Sequence, residues 1–268
     1  MKQLKLTLVA AAAIIVAASC KKDNDDYNNG GSNPPAPNVN AVVVSVAGDS
    51  AGIVQKLNEF RLLSGDPVNG TPGATGGRRE VNWDGVPANL TNNNNFPFDF
   101  FGASDVALPA GRKRGLILKT TGTAFRVDTT DFSEIDASYA SQFEAFSRKR
   151  LFVYMATNIT EVTFKVPGTT TDAFVHGFGV IFNDVDDANS TSVEYFAGTK
   201  SLGVFKAKVA SQGYSFVGVG FPDEKVTRVR ITSGNGVLAA GTKDITSGGT
   251  KDLVVMDDFL YDEPKSIQ

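Results

Sequence analysis

In KDLVVMDDFLYDEP, residues 251–264, an apolar run over 253–256 meets two adjacent carboxylates, Asp257 and Asp258, and turns apolar again over 259–261. A short run rich in Val and aromatic side chains between turn-forming residues reads as a buried strand. Successive strand residues point to opposite faces. Val255, Asp257 and Phe259 then share one face, and Val254, Met256 and Asp258 share the other. On that reading the two aspartates diverge and are no catalytic dyad.

The same pattern recurs through most of the chain. RGLILKT, TAFRVD, RLFVYMA, EVTFKVPG, FVHGFGVIF, SVEYFAG, LGVFKAKV, YSFVGVGF and KVTRVRITSG are short, often alternating, and bounded by Gly, Asn, Asp or Pro. About ten strands with a turn signal roughly every dozen residues predict a mainly β chain, an antiparallel β-sandwich of jelly-roll type with one or two short helices. In KVTRVRI, Val226, Val229 and Ile231 do not keep one parity, which predicts a β-bulge there. One helix is expected where Ile53, Leu57, Phe60 and Leu63 or Leu62 recur at helical spacing, capped by Asp49 or Ser50 and closed by Gly65. A second is expected at Tyr139, Phe143 and Phe146. GDPVNGTPGATGGRREVNWDGVP, residues 65–87, reads as an irregular loop.

The first residues carry a different message. Lys2 and Lys5 precede an apolar core over 6–18, which is shorter than the roughly 20 residues that span a bilayer and has the layout of a secretory signal. It ends in VAASC, which resembles the lipobox of bacterial lipoproteins, in which the cysteine is acylated. That resemblance implies a signal peptide over 1–19 and lipidation at Cys20, the chain's single cysteine. Residues 20–40 then form a polar, Gly/Pro/Asn-rich tether, and 41–268 form one sandwich domain. The acidic cluster Asp23, Asp25 and Asp26 is similar to signals that send some lipoproteins to the outer surface, and it reads equally as an ordinary soluble linker. The expected localisation is the outer membrane or cell surface, with the lipid as the membrane contact.

GRREVNWDGVP, GFGVIFNDVD and VVMDDFLYDEP together resemble motifs of secreted bacterial β-sandwich proteins. The resemblance implies fold and export, not an activity.

The chain carries 26 basic and 29 acidic residues, and without Lys2 and Lys5 the basic count is 24. A mildly acidic chain with no basic cluster is a poor partner for nucleic acid. GATGGRRE lacks the G-K-[ST] ending of a phosphate loop, so no nucleotide is expected. His176 is the only histidine, which excludes multi-histidine zinc sites and leaves a Ser-His-Asp triad one candidate base, with no G-x-S-x-G elbow. It reads as a histidine in or at the edge of the sandwich.

Carboxylates carry the remaining signal. Asp184, Asp186 and Asp187 cluster after Asn183, with Glu194 further on, in a loop that can gather oxygens around Ca²⁺ or can close a polar turn on its own backbone. The spacing is not that of an EF-hand. Glu80 and Asp84 are expected near Asp257 or Asp258, around a structural calcium or in salt bridges to Arg78, Arg79 or Lys251. Trp83, or Phe96, Phe98, Phe100 and Phe101, can offer a sugar-binding platform or fill a core.

Three functions fit these residues: a non-catalytic binding or adhesion module, with or without a stabilising calcium, that contacts a glycan or surface protein; a polysaccharide hydrolase or lyase; and a structural subunit of an envelope assembly. Replacing Cys20→Ser is expected to move the protein from the membrane to the soluble fraction and to abolish acyl mass on its N-terminal peptide. Unchanged fractionation with no acyl mass in the wild type would remove the lipid anchor.

Overall fold

A computed structural model of the chain describes residues 39–119 and 124–268. The expected signal segment, Cys20 and all but the last two tether residues lie outside this range. The described strands are β1 (Val42–Gly48), β2 (Arg78–Val81), β3 (Leu116–Lys119), β4 (Phe125–Asp128), β5 (Leu151–Tyr154), β6 (Ile159–Lys165) and β7 (Asp172–Phe174). They continue as β8 (Gly177–Val185), β9 (Ser192–Ala197), β10 (Lys200–Lys206), β11 (Ala210–Gly220), β12 (Arg228–Thr232), β13 (Val255–Asp262) and β14 (Lys265–Ser266).

Two antiparallel sheets pack face to face. One runs β1-β11-β8-β13-β5-β4 with β2 on β13, and the other runs β10-β9-β12-β6-β7-β14 with β3 on β6. The hairpin β9–β10 lies in the second sheet, and the strands flanking it, β8 and β11, pair in the first. Next outward, β6 pairs with β12 in the second sheet and β5 with β13 in the first. Antiparallel pairs nested about one hairpin and alternating between sheets make a jelly roll, as the strand pattern predicts.

The first sheet is covered on both faces. Phe178, Val180, Phe182, Met256, Phe259 and Tyr261 point into the core between the sheets. On the other face lies helix α1 (Ser50–Ser64), which sets Ile53, Leu57 and Phe60 against Ile181, Phe216 and Leu260. Asp49 caps the helix by accepting from Gly52 N at 3.0 Å, and the Gly65 N–H closes it on the Arg61 carbonyl. Gly179 and Gly218 make room for this contact, because a Cβ at either would sit 2.9 Å or less from the Phe60 and Phe216 rings. Further along, Phe132, Tyr139, Phe143, Leu253 and Val255 form a third cluster. Consequently β8 is buried at every residue, whereas β6 in the second sheet alternates.

Several local expectations change. The second expected helix is a 3₁₀ turn, Ala137–Ser141, with Phe143 beyond its end. The run FVHGFGVIF divides at His176 into β7 and β8, which belong to opposite sheets. β12 pairs in regular register on both sides, and the bulges fall in β10, β11 and β13 instead. β2 lies inside the stretch that reads as an irregular loop. It forms because Arg79, opposite Tyr261 of β13, is fully buried against Glu263.

Arg79 Nε and one terminal nitrogen each meet a Glu263 oxygen at 2.6 Å, and the other guanidinium bonds go to the Asn69 and Thr71 carbonyls. Paired charges whose nitrogens are all hydrogen-bonded can be buried, whereas a lone one is costly. Arg79→Met should therefore lose about 3–5 kcal/mol in urea unfolding by stranding Glu263. The double replacement Arg79→Met with Glu263→Met should recover most of that loss.

Candidate functional site

Met256 pairs with Phe182 and Phe259 with Val180, so Asp257 and Asp258 together oppose Ile181 alone. This is a β-bulge, in which an extra residue resets the alternation. Met256 and Phe259 both enter the core, and both acids turn to the same side. The divergence that strict alternation predicts does not occur. Phe146 N and Ser147 N donate to Asp257 Oδ2 at 2.6 and 3.2 Å. Ser147 Oγ lies 3.1 Å from Asp257 Oδ1 and 2.5 Å from Asp258 Oδ1.

The two carboxyls meet at the Ser147 hydroxyl, which sets two buried acids side by side. Burial, and then the charge of Asp258, push Asp257 well above the usual carboxyl range. Burial also raises Asp258. The pair ties β13 to the Phe146–Ser147 segment.

Trp83, expected as a ligand-binding residue, belongs to the same tie. It is 1% exposed, stacks on Phe152 at 4.1 Å, and donates from Nε1 to the Asp257 carbonyl at 2.8 Å. Glu80 is held by Arg61 and Arg78, the salt-bridge alternative for this region. Burial raises the Asp84 carboxyl, opposed by the charges of Arg150 and Arg148. β2 does lie beside β13 as expected, but these acids do not converge with ligand spacing.

The one group of described residues that does is Asp184, Asp186 and Asp244, with an oxygen from each within 4.8 Å of the others. Asp184, with a φ of 67°, is the penultimate residue of β8, and Asp186 follows the strand. Asp244 caps the 3₁₀ turn Ile245–Ser247. Of the three acids expected here, Asp187 turns away: its Oδ1 accepts from Asn189 N at 2.9 Å. Its backbone N–H and that of Asp186 instead bond Asp252 at 3.0 and 3.2 Å.

Asp184 Oδ1 accepts from Gln212 N at 2.6 Å, and Asp186 Oδ1 accepts from Ser211 Oγ. Asp184 Oδ2 and Asp186 Oδ2 are buried with no partner. Burial raises Asp184 to about 6 and Asp186 to about 7, and the Asp244 charge adds to both. Burial also opposes the charge on Asp244, but bonds from Thr246 and Leu253 outweigh it and hold that carboxyl below its ordinary value.

A cleft of about 340 Å³ opens at the other end of β8, lined by Leu63, His176, Gly177, Phe221, Pro222 and Asp262 among others. His176 Nδ1 lies 3.0 Å from the Glu224 carbonyl. A carbonyl only accepts, so in the neutral ring Nδ1 carries the proton and Nε2 keeps a lone pair. Asp262 Oδ1 accepts from His176 N and Gly177 N at 2.7 and 2.8 Å, and burial lifts this carboxyl to about 6. Ser64 also lines the cleft, but its Oγ has no hydrogen-bond partner and so is not paired with His176 as a nucleophile is with its base.

No known protein family, curated protein or solved structure matches the chain. Among the described residues no helix is long and apolar enough to cross a membrane.

An acid whose folded-state value is raised holds its proton more tightly in the fold than in the unfolded chain. Its contribution to stability is present at low pH and is lost as pH rises from the ordinary range through the raised value. Asp257→Asn is neutral at every pH and keeps an acceptor for the two N–H groups. Its melting temperature relative to wild type should therefore climb steadily between pH 5 and 8. Asp257→Ala should instead cost about 1–3 kcal/mol at either pH by leaving those N–H groups unpaired.

Proposed function

We propose that this chain is a non-catalytic binding module, carried on the outer face of a bacterial envelope by a lipid on Cys20, that takes a hydroxyl-rich ligand such as a glycan terminus in the cleft beside His176 and Asp262. The observation behind this reading is the cleft itself. Its volume falls in the range of small-ligand sites, roughly 300–1,000 Å³. It sets two acceptors, the Asp262 carboxylate and His176 Nε2, beside an apolar wall that includes Leu63, Phe221 and Pro222. Sugar hydroxyls suit the acceptors, and the C–H face of a sugar ring suits the wall.

The chemistry of the cleft favours binding over hydrolysis. A glycosidase needs two free carboxyl groups across the sugar. Glu263, beside Asp262, is 2% exposed and engages Arg79 with both oxygens. Asp257 and Asp258 lie under the Ser147 segment, held by its hydroxyl and backbone. The polar tether and mild acidity support display on a surface rather than contact with nucleic acid.

A glycan array read beside a reducing-end assay tests this. Saturable binding to a glycan without new reducing ends is expected. Asp262→Asn, which keeps the acceptor for its two N–H groups, should weaken binding about 10–100-fold, the worth of a hydrogen bond to a charged group. Release of reducing ends that Asp262→Asn abolishes would make the chain a hydrolase instead.

A further inference from the structure

We propose that Asp184, Asp186 and Asp244 form a binding site for one Ca²⁺ that clamps the end of β8 to the loop preceding β13. The spacing permits it. Calcium binds oxygens at about 2.3–2.6 Å, so ligand oxygens in one sphere lie up to roughly 5 Å apart. The three carboxylates offer oxygens within 4.8 Å of one another.

The second observation is independent of the spacing. Among the described residues the only buried carboxylate oxygens without a hydrogen-bond partner are Asp184 Oδ2 and Asp186 Oδ2, and Asp184 is fully buried. A carboxylate stripped of water with nothing in return is costly unless a cation or proton stands beside it. Elsewhere the chain avoids this cost. Asp128 meets Arg126, Glu263 meets Arg79, and both bulge acids accept from Ser147 Oγ. None of the ion pairs among the described residues reaches Asp184, Asp186, Asp244 or Asp252.

The surrounding bonds orient the carboxylates and leave Asp184 Oδ2 and Asp186 Oδ2 open, while Thr246 N and Oγ1 donate to Asp244 Oδ2 at 2.7 and 2.6 Å. Gln212 N and Ser211 Oγ occupy the opposite oxygens of Asp184 and Asp186. Leu253 N holds Asp244 Oδ1 at 2.9 Å. Asp252 collects the Asp186 and Asp187 N–H groups and so fixes the turn that carries Asp186. Supports of this kind tune a metal site. The ligands are all oxygen, which suits a hard cation rather than zinc or copper, and an irregular cage suits calcium better than octahedral magnesium.

Calorimetry and terbium luminescence on the full chain, stripped with chelator in detergent, test the site. One equivalent of Ca²⁺ should bind, and at a hundredfold above Kd it should raise the melting temperature by about 5–10 °C. Magnesium at the same concentration should do less. Asp244→Asn, which keeps a capping oxygen, and Asp186→Asn should each weaken calcium binding at least tenfold, while Asp187→Asn binds as wild type does. No calcium or terbium uptake by wild type, an equal response to magnesium, or equal losses for Asp187→Asn and Asp186→Asn would each overturn the assignment. Circular dichroism of the stripped variants separates lost binding from lost folding.

Discussion

Because the first sheet is roofed on both faces, every polar group that its central strands carry must find a partner inside the protein. β13 shows the consequence most fully, since seven of its eight residues are buried. A carboxylate on such a strand is tolerated only when donors, a counter-charge, a proton or a cation stands next to it. The strand uses these solutions in turn along its length. Asp257 and Asp258 share the Ser147 hydroxyl, and Asp257 also takes two backbone N–H groups. Asp262 takes two backbone N–H groups, and Glu263, just past the strand, takes a whole guanidinium.

Against that background the oxygens of Asp184 and Asp186 stand out. Asp184 is buried as fully as the acids of β13 and Asp186 is half-buried, yet one oxygen of each lacks the partner that the others have. The cleft and this acid cluster lie at opposite ends of β8, a nine-residue strand that spans roughly 25 Å. Ligand at one end and cation at the other would thus act on a single element. β8 is packed on both faces and paired with β11 and β13 along its edges. A clamp at its far end would stiffen the strand that also delivers His176 and Gly177 to the cleft.

Much of the architecture is legible in the residues. The ten segments that read as strands are strands, and their nested pairing is a jelly roll. The cap at Asp49, the stop at Gly65 and the helical spacing of Ile53, Leu57 and Phe60 are local patterns and are realised as such. β1 and β2 are different. Nothing within GGRREV marks Arg79 as a buried residue, because its partner Glu263 lies 184 positions away. The division at His176 is equally hidden, since a sandwich corner changes which sheet a strand joins without changing its apolar pattern.

The site follows the same rule. Asp184 and Asp186 are near neighbours and stand out as oxygen donors; Asp244 does not, because its place beside them depends on how the chain returns after β12. Periodicity, capping and the lipobox-like N-terminus depend on residues within a few positions of one another, so the sequence alone was enough for strand content, the helix and the expectation of export. Which face Asp257 and Asp258 share, what Trp83 touches and which acids converge depend on one extra residue in a ladder and on contacts between distant segments. Those were decided only in three dimensions, where burial on both faces made each charge find a partner and a bulge turned two adjacent acids to one side.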